Sequence, residues 1–256
     1  MCKSRGQSNL MSQAVDFSRA SWPDVALAAD GKALAVLAIG ACEQHGAHLP
    51  LTTDTDMAFG VASRIAAGLE AMLLPPIAYG DAWNNEAFPG TLSLSPDTLR
   101  AVLCDIGHGV RRMGCAGLVL INGHFGNREP IALAARLLTG EGLPVVHLDY
   151  PGMERLAGEI CDSAPAAAGF YHADEVETAI MLALRPEAVD MTRAAPEYPE
   201  FPPTFGIEPM QLRDFVTSGV FGDPRPATAA KGEALIEGIV VESLRLIELW
   251  RQRHAI

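Results

Sequence analysis

Apolar residues gather into four short runs, at 33–39, 71–77, 117–121 and 144–148, and none alternates strictly with polar positions. Runs of this length without alternation fit strands covered on both faces, as in a parallel sheet between helical layers. Elsewhere the period changes. Residues 55–69, 96–113, 128–138, 173–184 and 229–251 read as helices, and in the last the apolar positions recur at helical intervals. Ser95 stands where an N-cap belongs, with Pro96 at the first helical position, where its missing N–H is not needed. Strand alternating with helix predicts one α/β domain over residues 1–256, a mainly parallel sheet flanked by helices. Residues 194–209 break this pattern, because Pro196, Pro199, Pro202, Pro203 and Pro209 interrupt any regular element. That stretch is expected to run over the surface, as a lid or a subunit contact.

This layout gives two polar stretches a common address. In open α/β sheets ligands bind beyond the carboxyl ends of the strands. "IGACEQHGAHLPLTTDTD" (39–56) leaves the first run at that end, and "NGHFGN" (122–127) leaves the third at the same end. Glu43 and His45, two apart, point the same way in extended backbone. Asp54 opens the next helix and His124 arrives from the third run. Carboxylates and imidazoles together form a ligand set suited to zinc, manganese or iron(II). A further ligand is expected from "YHADEVETA" (171–179), where His172, Asp174, Glu175 and Glu177 are candidates.

Each stretch also has a plainer reading. An isolated ExH is mostly chance, acids at a helix start suit its dipole, a glycine-rich turn can hold phosphate, and "HADEVE" can be capping chemistry. Convergence at the strand ends is what favours a site. His48 and Asp56 are expected to support the loop, and His108 and His147 to be structural. Cys42 fits a nucleophile poorly, since neighbouring carboxylates raise a thiol pKa.

Composition narrows the partners. A formal net charge of −12 disfavours nucleic acid and anionic membrane, and no apolar run approaches a bilayer span. Residues 1–18 are polar and mixed, without the apolar core of an export signal, which predicts a cytoplasmic protein. Cys2, Cys42, Cys104, Cys115 and Cys161 are odd in number and scattered. They suggest small buried thiols rather than a disulfide framework or metal knuckle.

Five stretches, "EQHGAHLPLTTD", "FPGTLSL", "NGHFGN", "HADEVETA" and "GVFGDPRPATAAKGE", resemble the creatininase family in chain order and spacing, from about residue 36 to 245. The resemblance implies a three-layer α/β fold and hydrolysis of an amide-like C–N bond in a cyclic amide, a formamide or a peptide end. It implies two divalent ions per subunit, zinc, manganese or iron. Glu43 and His124 would hold one ion, His45 and Glu177 the other, and Asp54 would bridge both. Three carboxylates and a bridging hydroxide would offset four positive charges, the less costly arrangement to bury. His172 is the implied proton donor to the departing amine, and Glu177 the catalytic acid of the ligand set. Trp83, Phe125, Tyr150 and Tyr171 are the expected pocket walls. The expected partners are a small amide-type substrate and other copies of the chain, a homo-oligomer and commonly a hexamer in the family.

Several positions depart from the family pattern. Creatinine-opening members carry a glutamate two residues after the histidine of "NGH", where this chain has Gly126. The last acid must then come from elsewhere, from Glu177 first and from Glu175 or Asp174 otherwise. Asp174 replaces a frequent glycine, Ala179 a serine, and Asn84 and Asn85 an "EH" pair. No mid-chain tryptophan boxes a flat ring, which argues against creatinine itself. The contrasting reading is a non-catalytic small-molecule-binding or assembly protein that retains the fold. A site decayed in that way should have lost one of Glu43, His45, Asp54, His124 and Glu177, and all are present.

Overall fold

A computed structural model describes residues 14–256. Five strands, β1 (Val15–Asp16), β2 (Leu34–Ile39), β3 (Met72–Leu73), β4 (Gly117–Asn122) and β5 (Val145–Leu148), pair in the order β1-β3-β2-β4-β5. Every pairing is parallel. Helices α1 (Trp22–Ala28), α2 (Thr53–Leu69), α3 (Pro96–Arg112), α4 (Arg128–Gly140), α5 (Met153–Ile160), α6 (Glu175–Leu184) and α7 (Ala229–His254) cover both faces.

The strands lack alternation because both faces are occupied. On β2, Val36 and Ala38 join the cluster built with α2, α6 and α7, while Ala35, Leu37 and Ile39 join the one built with α3 and α4. Every residue of β2 and of β4 is buried. This is the expected three-layer α/β architecture.

The helix starts follow local chemistry. Ser95 accepts from the Thr98 amide to open α3, as its sequence predicts, Thr228 accepts from Lys231 to open α7, and Asp174 accepts from Val176 and Glu177 to open α6. Some bounds differ from expectation. The 71–77 run pairs as a strand only over Met72–Leu73, because Pro75 and Pro76 offer no N–H to the ladder. The chain nonetheless stays alongside β2, with the Leu74 and Ile77 amides bonded to Val36 and Ala38 carbonyls at 2.9 and 3.0 Å. Three further elements, β1, α1 and α5, span only two, seven and eight residues, too few for a repeat to mark them in the pattern.

Residues 194–209 form no helix or strand, as expected, yet they are anchored. Phe201 and Phe205 pack with Phe170, Phe215 and Phe221, and Glu197 exchanges backbone hydrogen bonds with Gly222. Of the described cysteines only Cys115 is fully buried; Cys42, Cys104 and Cys161 are half-buried, all are free, and Cys2 lies outside the described residues. No helix among the described residues is long and apolar enough to cross a membrane. The polar 1–13 segment lies outside the description.

Candidate metal centre

The loop after β2 carries Glu43 and His45 to the carboxyl edge of the sheet, where the first turn of α2 presents Asp54. The turn after β4 adds His124, and the first turn of α6 adds Glu177. Glu43, His45 and Asp54 are each at most 2% exposed and Glu177 is 8% exposed. Ligand atoms of Glu43, Asp54 and His124 lie within 4.8 Å of one another, as do those of His45, Asp54 and Glu177. Asp54 belongs to both groups. Its Oδ2 is 3.1 Å from His124 Nδ1, and its Oδ1 is 3.1 Å from His45 Nε2. His124 Nδ1 is also 3.3 Å from Glu43 Oε1, and His45 Nε2 is 3.5 Å from Glu177 Oε2.

These contacts are short without being hydrogen bonds. His45 Nε2 and Asp54 Oδ2 are buried and have no aligned partner. Atoms that converge on a point rather than on each other fit an ion between them, since buried polar atoms otherwise find partners. The histidines are oriented for it. His124 donates its Nε2–H to the Asp81 carbonyl at 2.8 Å, and His45 Nδ1 faces the Glu43 carbonyl at 3.3 Å. A carbonyl behind each ring fixes the proton there and leaves the other nitrogen's lone pair for a cation. The residues present therefore suit a metal.

Crowding sets the electrostatics. Burial opposes a charge on His45, but Asp54 and Glu177 outweigh it and push the imidazole up to about 10. Burial raises Glu177 to about 8, against the pull of His45. Burial also opposes ionisation of Asp54, yet the adjacent imidazoles hold it below the usual carboxylate range. His172 goes the other way, lowered to about 4 by burial and by His45.

Among the acids of "HADEVE", Glu177 reaches the cluster. Glu175 instead accepts from the Asp162 and Ser163 amides and pairs with Lys231, and Asp174 caps α6. The glutamate expected by analogy after "NGH" has no room. A Cβ on Gly126 would sit 2.0 Å from the Asp81 carbonyl oxygen, the same oxygen that holds His124. His172 lies with its Nδ1 3.6 Å from Glu43 Oε1. His48 bonds the Thr178 hydroxyl at 2.9 Å, and Asp56 turns to Arg185 and Thr52. His108 pairs with Glu141 at the surface, and His147 is exposed on β5.

A cavity of about 420 Å³ opens onto Glu43, Asp54, His124, His172 and Glu177, walled by Phe125, Tyr171, Phe205 and Met210. Phe125 is exposed at its mouth beneath the Arg128 guanidinium, 4.1 Å from the ring centroid. Tyr150 lines a smaller adjoining chamber beside Glu177, its buried hydroxyl without a partner. Trp83 is not on this cavity. It faces a separate surface depression with Ser93 and Pro96, because the 3₁₀ turn Trp83–Asn85 directs Asn85 inward and Trp83 outward. Asn85 was visible in the sequence only as a departure; it donates to Glu43 Oε2 at 2.8 Å. Asp81 acts through a backbone carbonyl, which leaves no signal in a sequence.

Fold and site together define the class: a parallel α/β protein with a buried carboxylate–imidazole centre at its strand ends. A family model described as creatinine amidohydrolase matches residues 18–247. The chain is 32% identical over 228 residues to the mycofactocin precursor peptide peptidase of Mycolicibacterium smegmatis, covering 85% of each chain. It is 31% identical to the creatinine amidohydrolase of Pseudomonas putida, over 89% of this chain and 94% of that one. A solved mutant creatininase of Zn-Zn type superposes with a TM-score of 0.81 at 28% identity, over 94% of this chain and 99% of that one. The chain belongs to the creatininase family, a family of metal-dependent hydrolases.

Proposed function

We propose that this protein hydrolyses an amide-type C–N bond of a small molecule or peptide end, with two divalent ions held across Asp54. The observation that carries the reading is that one carboxylate, Asp54, is common to two groups of side chains that could each hold an ion. Glu43 and His124 complete one and His45 and Glu177 the other, the division that family resemblance implied. Zinc, manganese and iron(II) all suit these donors. When bound, such ions lower the pKa of water and polarise a carbonyl.

The chain's own groups supply the rest. Asn85 holds Glu43 in place, and Phe125 and Tyr171 flank the space where a substrate would lie, with Phe205 of the proline-rich stretch across its mouth. His172 is the group that donates to the substrate, and Glu177 closes the acidic set. Family resemblance also supports a homo-oligomer, a hexamer by analogy. Retention of every ligand candidate speaks against a decayed binding protein.

The test is a panel of cyclic amides, formamides and short peptides, offered to protein equilibrated with zinc or with manganese and assayed for released amine. Chelator-sensitive release, abolished by Asp54→Asn, is the expected result. No release from any substrate by fully loaded protein would favour the binding-protein reading instead.

A further inference from the structure

Behind His45 and His124 stand carbonyl oxygens, but behind His172 stands an amide donor. Gln44 Nε2 lies 2.7 Å from His172 Nε2. The polarity of Gln44 is not free. Its Oε1 accepts from the Gly46 amide at 2.9 Å, and its Nε2 donates to Asn85 Oδ1 at 3.0 Å. Asn85 is fixed in turn, because its Nδ2 donates to the Glu43 carboxylate at 2.8 Å. A backbone N–H can only donate and an ionised carboxylate can only accept, so both amides are oriented from both ends. Gly219 makes space for this arrangement: at φ +80° it has no side chain, and a Cβ there would meet Gln44 Oε1 at 1.9 Å.

We infer that Gln44 is a positioning residue that sets His172 as a neutral hydrogen-bond donor toward the cluster. An amide N–H aimed at Nε2 requires a lone pair there, so the ring's single proton sits on Nδ1, the nitrogen facing Glu43 and the cavity. This rests on the proposed hydrolysis at the cluster and changes one role within it, making His172 a hydrogen-bond donor in place of the proton donor to the departing amine. Three imidazoles surround the centre, yet two offer lone pairs and one offers an N–H. His172 is thereby kept from becoming a third imidazole ligand, although its geometry beside Glu43 and His45 would allow one. The role of the ring also becomes specific. Giving away its only proton would leave an imidazolate, so His172 stabilises charge on the substrate oxygen by hydrogen bonding, as preorganised donors do. The proton taken by the departing nitrogen then comes from the attacking water, whose hydroxide forms the new C–O bond as the C–N bond breaks.

The test is magic-angle-spinning nitrogen NMR of ring-¹⁵N-histidine-labelled protein, metal-free and zinc-loaded, with the His172 signals identified by their loss in His172→Asn. The expected spectrum has Nδ1 protonated and Nε2 bare and hydrogen-bond-accepting in both states. A protonated Nε2, or a zinc-induced shift at Nδ1, overturns the inference. Zinc should move the ring nitrogens of His45 and His124. If it moves neither, the metal reading fails, while the His172 tautomer still decides the role of Gln44. In Gln44→Glu, where the new carboxylate accepts, His172 should switch to Nε2–H, and turnover of any hydrolysed amide should fall about 100-fold. A folded Gln44→Glu protein with the tautomer unchanged also overturns the inference.

Discussion

Glu175 and Glu177 stand two positions apart in the first turn of α6 and serve opposite sides of it. Two helical residues turn the side chain by roughly 200°, so Glu177 Oε2 comes within 3.5 Å of His45 while Glu175 pairs with Lys231 on the far side. Three acids in one short motif are thereby sorted into a cap, a structural ion pair and a member of the ligand cluster.

Elemental analysis separates the two glutamates. Wild-type protein re-equilibrated with zinc should hold two ions per chain, Glu177→Gln one, and Glu175→Gln two. Glu175→Gln should instead lower unfolding stability by about 1–3 kcal/mol, read by urea denaturation. A lost ion in Glu175→Gln would reverse the assignment.

Protons compete with the metal. In the metal-free chain His45, pushed up to about 10 by the acids around it, carries a proton at pH 7. Metal binding must displace that proton, so affinity rises with pH. Zinc titration calorimetry in buffers of different ionisation enthalpy should report proton release; equal heats in all buffers would count against it. The raised His45 also has a stability consequence, of the opposite sign. Its contribution to the metal-free protein is complete below the ordinary value of 6.5 and is lost as pH rises through about 10.

Asn85 orients Glu43 without belonging to the ligand groups. Asn85→Ala should weaken metal binding about 10–100-fold while leaving the fold intact. Competition with a chromophoric chelator measures the change, and an unaltered affinity would show that Glu43 needs no such support.

Gly126 is a steric requirement of the site. Gly126→Ala should drive the Asp81 carbonyl off His124 and cost about 1–3 kcal/mol of stability, visible as a lowered melting temperature. Gly126→Glu should fail to supply an extra metal ligand for the same reason. A stable Gly126→Glu protein with unchanged metal binding would show that the turn yields easily.

Much of this was legible in one dimension. A strand buried on both faces advertises itself by an unbroken apolar run, and helix caps such as Ser95 and Thr228 depend on neighbours three residues away. The sequence alone therefore determined the parallel α/β layout and the presence of Glu43, His45, Asp54 and His124 at strand exits, and its motifs carried the family. Proline interrupted the reading of β3, and the elements β1, α1 and α5 are too short to announce themselves.

Tertiary structure decided what the neighbours of those residues do. It brought Glu177 rather than Glu175 to the cluster, sent Trp83 away from the cavity, closed position 126 to a side chain, and stood a carbonyl behind two imidazoles and an amide behind the third. Apart from the Glu43 carbonyl behind His45, two residues away, these depend on groups far apart in the chain, such as Gln44 with His172 or Asp81 with His124. Which atom backs a ring, and which side of a helix meets an ion site, follows from packing that no local pattern of residues records.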